Sequence, residues 1–480
     1  MVSMSRRGAT ATFAGLGAVA ALCVSTAAAP RARQTAGPAA AKAAPRLVLK
    51  KVRFEDYRLR NGLRVLLSED PSAPMVAIAV GYHVGGKDDP PGRSGFAHLF
   101  EHLMFKGTAN LPPESMDRFT EDVGGANNAF TQPDSTVYHE VIPSNYLRRL
   151  LWAEADRLAS LKVDAANFKT EREVVIGEYE QNVVASPYGR LWDLLQAKAF
   201  VKHPYGLGVI GNPANLRAAT LKDVRAFHAT YYVPQNAVLA VVGNFHTAQA
   251  RQWVQQYFGR VAPGPRPIPR VRVVEPPQRA PRTVLYHGAN VPLPAVALAY
   301  HIPAASQHDA DVLDVASAIL SGGESSRLHQ KLVYSQQIAF EVGADADTRE
   351  QPGLFVITAM LNRGKSPEAA LGSLRDEISR LRTSLATPDE IARAKTQLLT
   401  HIVRSRERSE DRATELVETS ILEGDPGRVN TAAERLQSVT PEEIRAAARK
   451  YLTPTNVTVM RYLPAAKPLP AAPDAKGKGQ

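Results

Sequence analysis

One cysteine, Cys23, stands in a chain of 480 residues, so no intrachain disulfide can form and cysteine chemistry has no second partner. Long hydrophobic runs are also missing. The most apolar stretch, Ala11 to Val24, is too short to span a bilayer comfortably. Charge of one sign is absent from the body of the chain as well. The formal net charge is +11, but residues 1–53 carry nine Lys or Arg without an acid, and residues 464–480 carry three Lys and one Asp. Those ends account for the whole surplus, which implies no basic surface for nucleic acid and no stable membrane span in the mature chain.

The ends themselves read as processing and spacer segments. Arg6 and Arg7 precede the apolar run, and Ser25-Thr26-Ala27-Ala28-Ala29 supplies small residues for cleavage, so residues 1–29 are expected to be a signal peptide. Leu22 argues against a lipoprotein cleavage box at Cys23. Cleavage would leave a mature chain without a thiol, exported, with the bacterial periplasm as the expected compartment. Residues 30–49 are expected to form a flexible linker and residues 464–480, rich in Pro, Ala and Lys, a disordered tail.

What is present is concentrated in Gly95-Phe96-Ala97-His98-Leu99-Phe100-Glu101-His102-Leu103-Met104-Phe105-Lys106. Two histidines four residues apart leave one face of a helix and can meet one ion. This His-x-x-Glu-His spacing is the inverted form of the zinc-protease helix. Zinc accepts neutral imidazole nitrogens and needs one further protein ligand to leave a position for water. Glu101 lies beside the ligands, where it could take that water's proton. A solvated helix face would also carry two His and a Glu, but here Phe96, Ala97, Leu99, Phe100, Leu103, Met104 and Phe105 predict burial. Ionisable groups are seldom buried without partners, and a metal is one such partner.

A carboxylate is expected to complete the set, and the Glu-rich helical stretch Phe168 to Val184 is the candidate region. Here the chain resembles the pitrilysin-type (M16) metallopeptidases, whose third ligand is a Glu about seventy-six residues after the second His. Glu178 stands 76 residues after His102, within Glu171-Arg172-Glu173-Val174-Val175-Ile176-Gly177-Glu178. The resemblance thus implies one zinc per chain on His98, His102 and Glu178, with Glu101 catalytic. Glu171, two helical turns before Glu178, is implied to be an acid that orients a ligand. Glu173 and Glu180 fall on other faces and are expected to be solvated.

Length suggests two domains, 50–261 and 283–463, joined by a Pro/Arg-rich linker over 262–282. Leu216 to Asn236 aligns without gaps onto Leu436 to Asn456, with seven identities in 21 positions. The pairs are Leu216/Leu436, Thr220/Thr440, Arg225/Arg445, Ala226/Ala446, Tyr231/Tyr451, Pro234/Pro454 and Asn236/Asn456, which points to duplication. Each copy reads as a Thr-capped helix, a turn and an apolar strand. Strands are predicted at Leu63–Leu67, Met75–Val84, Asn128–Thr131 and Thr136–Ile142. A helix capped by Ser144 is predicted to run to Leu161, with Leu147, Leu150, Leu151, Ala155 and Leu158 facing inward. The expected class is α+β: two homologous domains, each an antiparallel β-sheet covered on one side by α-helices, as in the LuxS/MPP-like metalloproteases.

The resemblance extends over roughly residues 50–463 and carries further expectations. Its four-domain working unit encloses a chamber, so this half-length chain is expected to form a homodimer or a heterodimer with another M16 subunit. Gly124-Gly125 precedes a strand whose free edge could add a peptide substrate as one more strand; the resemblance assigns substrate contact to Asn128 and Ala129. It assigns the same to Arg327 and Tyr334, seven residues apart on one expected helical face, as donors towards a developing oxyanion. His203-Pro204-Tyr205-Gly206 resembles a family segment of mostly structural role. The implied activity is zinc-dependent endopeptidase hydrolysis of peptides or unfolded segments. The alternative is a non-catalytic partner subunit, which typically lacks part of the metal motif.

Overall fold

The computed structural model describes residues 47–265 and 267–465. The expected signal peptide, most of the 30–49 linker and the tail beyond Ala465 lie outside the described residues.

Eleven strands build two sheets among the described residues. The first comprises β1 (Glu55–Arg58), β2 (Arg64–Glu69), β3 (Met75–Tyr82), β4 (Ala126–Thr131), β5 (Thr136–Pro143) and β6 (Ala237–Gly243), in the order β1-β2-β6-β3-β5-β4. The second comprises β7 (Arg282–Gly288), β8 (Ala295–His301), β9 (Ala339–Asp347), β10 (Leu354–Leu361) and β11 (Thr458–Pro464), in the order β7-β11-β8-β10-β9. Apart from β1, the two orders map strand for strand. The sheets are mixed rather than antiparallel: β2 runs parallel to β6 and β7 parallel to β11. A strand that closes each unit after a helical crossover makes that parallel pair.

The repeat has a physical basis at its identical residues. Thr220 and Thr440 cap helices Leu221–Tyr231 and Pro441–Tyr451, each in a reciprocal box with the acid three residues on. Asn236 Nδ2 donates to the Tyr231 carbonyl at 2.8 Å, and Asn456 Nδ2 donates to the Tyr451 carbonyl at 2.8 Å. Each amide also reaches a carbonyl at the end of β3 or β8, that of His83 just past β3 at 3.2 Å and that of His301, the last residue of β8, at 3.0 Å.

Helical cover on one side, as expected from the sequence, is not what is found. Each sheet is covered on both faces, and the second cover comes from the other half of the chain. Helix Ser409–Leu422 sets Ala413, Leu416, Val417 and Ile421 against Leu66, Ala77, Ala79, Val137 and Val242 of the first sheet. Helix Arg190–Ala199 sets Leu191, Leu195 and Ala199 against Ala295, Ala297, Ala299, Val356 and Met460 of the second. The receiving strands carry small residues in register, Ala77, Ala79 and Gly81 on β3 and Ala295, Ala297 and Ala299 on β8. Close approach requires this. A Cβ on Gly81 would lie 2.1 Å from Val417 Cγ1.

A polar seam ties the halves together beside these helices. The Lys87 ammonium, almost fully buried, binds Asp134 Oδ1 at 2.7 Å and also Glu350. Tyr205 Oη donates to Asp134 Oδ1 at 2.6 Å, and His203 Nε2 meets Gln351 Oε1 at 2.6 Å. The His203–Gly206 segment therefore belongs to this seam.

One local expectation needs correction, and three expected bounds gain detail. Ser144 caps nothing: residues Ser144–Tyr146 form a 3-10 turn after Pro143, and the helix proper is Leu147–Ser160. Its five predicted inward residues are buried. The described residues of the expected linker 262–282 form no helix or strand before Arg282, yet they are held: Glu275 accepts from the backbone N–H groups of Val201, Lys202 and His203. Leu47, within the expected 30–49 linker, exchanges two hydrogen bonds with the Gln437 amide, and Pro464, within the expected tail, still belongs to β11.

Candidate metal centre

The motif lies on helix Phe96–Leu103, which packs beneath the first sheet. Its start is fixed by Asp89, whose carboxylate accepts from the N–H groups of Gly95 at 2.5 Å and Ala97 at 2.9 Å, satisfying donors that a helix N-terminus leaves open. Gly95 has φ 96°, and a Cβ there would meet the Ile210 carbonyl at 2.8 Å, so only glycine suits this entry. Phe96, Ala97, Leu99, Phe100 and Leu103 are buried, and Phe100 stacks on Phe227. The apolar flank thus fixes the rotation that presents His98 and His102 to helix Ala165–Tyr179.

That second helix brings Glu178 across. Glu178 Oε2 lies 3.6 Å from His98 Nε2 and 3.5 Å from His102 Nε2. One ligand-type atom from each of the three residues falls within 4.8 Å of the others. Tetrahedral arms of about 2.0–2.1 Å put ligand atoms about 3.3 Å apart, so this donor set fits zinc with little movement. It is also the only such group among the described residues. Glu101 Oε2 lies 4.0 Å from His98 Nε2 and accepts from the Thr131 hydroxyl at 2.6 Å, while Oε1 takes no hydrogen bond among the described residues. Glu171, buried as the sequence did not require, sets Oε2 at 3.6 Å from His102 Nδ1. Glu173 and Glu180 are exposed.

The electrostatics separate the two histidines. Burial and the neighbouring His102 push His98 down to about 4, which keeps its imidazole neutral, as a ligand must be. Burial also opposes charge on His102, but Glu171 and Glu178 outweigh it and carry that ring up to about 9. Burial raises the Glu101 carboxyl above its ordinary value, against the Thr131 hydroxyl. Glu178 is held below the usual carboxylate range, chiefly by His102.

Asn128 and Ala129 lie on β4, an outermost strand whose one pairing partner is β5. The Asn128 side-chain carbonyl covers its own edge by accepting from the Ala129 N–H at 2.8 Å. The α-helical face expected to carry Arg327 and Tyr334 does not form. The segment His329–Ser335 winds as a π-helix, so an α-helical seven-residue step does not apply. The Arg327 guanidinium is buried in a two-pronged pair with Glu390, Nε–Oε1 at 2.7 Å and Nη2–Oε2 at 2.8 Å, while Tyr334 is half exposed. Two of its nitrogens are thus committed to Glu390, while Nη1 is buried without a hydrogen-bond partner among the described residues.

Sequence reasoning had assigned no role to Asp89, Thr131 or Lys106. Asp89, seven residues before the motif helix whose N-cap is Gly95, stands too far upstream to read as a capping acid in the sequence. Thr131 and Lys106 needed the third dimension.

A duplicated α+β scaffold with His-x-x-Glu-His on a buried helix and a distant Glu beside it defines a protein of the inverted-motif metallopeptidase type. Residues 64–212 match the family model described as Insulinase (Peptidase family M16), and residues 218–398 match the one described as Peptidase M16 inactive domain. The chain is 30% identical over 361 residues to the zinc protease PqqE of Helicobacter pylori, covering 75% of this chain and 81% of that one. It is 24% identical over 412 residues to a probable mitochondrial-processing peptidase subunit beta of Arabidopsis thaliana, covering 84% of this chain and 76% of the other. A crystal structure of a protease from Helicobacter pylori superposes with a TM-score of 0.82 at 28% identity, covering 86% of this chain and all of that one. The chain belongs to the M16 peptidase family. The second family-model match begins before β6, so that boundary cuts through the first sheet and not through the 262–282 bridge.

Proposed function

We propose that this chain is a zinc-dependent endopeptidase that hydrolyses peptides or unfolded segments. The observation that carries the reading is the convergence of His98 Nε2, His102 Nε2 and Glu178 Oε2, with Glu101 beside them. These three side chains would hold zinc, which when bound polarises a scissile carbonyl and acidifies water. Glu101 takes the water's proton on Oε1 while Thr131 fixes Oε2, and then returns it to the departing amine. β4 offers a strand edge along which an extended peptide aligns, once the Asn128 side chain releases the Ala129 N–H. A chamber closed by a second copy of the chain, or by another M16 subunit, would admit peptides and exclude folded proteins. Export to the bacterial periplasm belongs to the same proposal and rests on residues 1–29 alone.

The test is zinc content and cleavage of a quenched peptide pool by the purified chain. Zinc-loaded wild type cleaves; Glu101→Gln keeps its zinc and loses on the order of 10²–10⁴-fold in turnover. Zinc-loaded wild type that cleaves nothing alone, but activates an added M16 partner, would instead establish the partner-subunit reading.

A further inference from the structure

We infer that Lys106 is a positioning residue for the metal centre, acting through Glu171 on His102. His98, His102 and Lys106 follow one another at intervals of four, so they leave one side of the motif helix and the turn that ends it. Helix Ala165–Tyr179 meets them in reverse order. His98 faces Glu178 at 3.6 Å, His102 faces both Glu178 at 3.5 Å and Glu171 at 3.6 Å, and Lys106 Nζ faces Glu171 Oε1 at 3.3 Å. Asn167, one turn before Glu171, donates from Nδ2 to the Lys106 carbonyl at 3.3 Å. The two helices are joined antiparallel by these rungs, and Lys106 supplies the last.

The middle rung explains why a lysine is needed. The Glu171 side chain is only 4% exposed, and a carboxylate so buried requires compensating partners. It has two, and they divide its oxygens: Oε1 goes to Lys106 and Oε2 to His102 Nδ1. With zinc on Nε2 the ring would keep one proton, and a carboxylate beside Nδ1 favours that nitrogen for it. Lys106 thereby holds the carboxylate in the orientation that keeps Nε2 available. An apolar side chain at 106 would leave Oε1 without a cation, and Glu171 would turn towards solvent and away from His102.

The premise is zinc on His98, His102 and Glu178, as proposed above, and the measurement separates the two ideas. Zinc affinity is read by chelator competition on the full chain, with the melting temperature of each zinc-free protein recorded alongside. Wild type that binds no zinc overturns the functional proposal itself. If wild type binds, Lys106→Met is expected to weaken binding on the order of 10–100-fold. Lys106→Arg restores most of it, and the zinc-free melting temperatures stay together. Glu171→Gln should cost as much, and Lys106→Met combined with Glu171→Gln should cost no more than Glu171→Gln alone. Unchanged affinity in Lys106→Met overturns the role. So do losses that add in the double variant, and so does a loss that Lys106→Arg leaves in place while the zinc-free melting temperature falls.

Discussion

Apart from β1, the two halves of the chain share a sheet order strand for strand, capped helices at matching places and an Asn that makes the same two hydrogen bonds. Among the described residues, only the first half gathers three ligand-type side chains in one place. Helix Phe96–Leu103 follows β3; the helix that follows β8, His308–Ser321, has as its sole imidazole His308, which is exposed and bound to Glu443 Oε1 at 3.1 Å. The comparison teaches that the repeat resides in backbone geometry, such as turns, caps and small-residue rows, whereas the proposed chemistry rests on four side chains that this geometry does not demand. It also shows that neither half covers both faces of its own sheet, because each supplies the helix that covers the other's open sheet face.

The sharpest way to break that comparison is to remove an imidazole from each half. His102→Ala is expected to abolish both stoichiometric zinc and peptide hydrolysis, and His308→Ala to change neither; metal analysis with a peptide assay decides. Zinc binding that survives in His102→Ala would place the metal elsewhere. Next in size is the buried pair of the second half. Arg327→Ala leaves Glu390 without its guanidinium, which holds that carboxyl down at about 2, and should lower stability by about 3–5 kcal/mol in denaturant titration. Tyr334→Phe, at an exposed position, should fall within about 0.5 kcal/mol of wild type. Equal stability effects from the two would mean that Arg327 is not a structural lock.

The exchanged helices give the third comparison. Leu195 and Leu416 are both buried, each against the sheet of the opposite half. Leu195→Ala and Leu416→Ala should each cost about 2–5 kcal/mol and shift one common unfolding transition. Two separate transitions, with each variant moving only one, would show halves that fold alone. The smallest effect concerns the seam. Burial works against charge on Glu350, but His83 and Lys87 hold it down to about 2. A depressed carboxyl contributes stability that is present above its unfolded value near 4.5 and is lost as pH falls towards 2. The melting-temperature gap between wild type and Glu350→Gln should therefore shrink across that window, and a gap that stays constant would deny the seam its ionic character.

Much of this was legible in the chain itself, for reasons that particular residues make plain. His98, Glu101 and His102 sit within little more than one helical turn, so period and apolar flanks were enough to place them on one buried helix. Glu178 is 76 residues away from His102, and only resemblance singled it out from its glutamate-rich surroundings. The two-sided cover of β3 had a signal in Met75 to Tyr82, which is apolar or small throughout instead of alternating with polar residues, as strands buried on both faces are. Nothing local could say which helix lay on the second face. Arg327 shows the limit most clearly. Its partner Glu390 is 63 residues on, and the π-helical winding after Leu328 removes the period on which its pairing with Tyr334 was reckoned. Ser144 had the right chemistry for a cap, but the 3-10 turn at Ser144–Tyr146 starts the helix one step later.

The claim on which the rest depends is answered most directly by diffraction from zinc-soaked crystals of the full chain, recorded at the zinc absorption edge. One anomalous peak per chain is predicted, bonded to His98 Nε2, His102 Nε2 and Glu178, with Glu101 adjacent and not bound. A peak at any other position, or none where these three side chains meet, would contradict it.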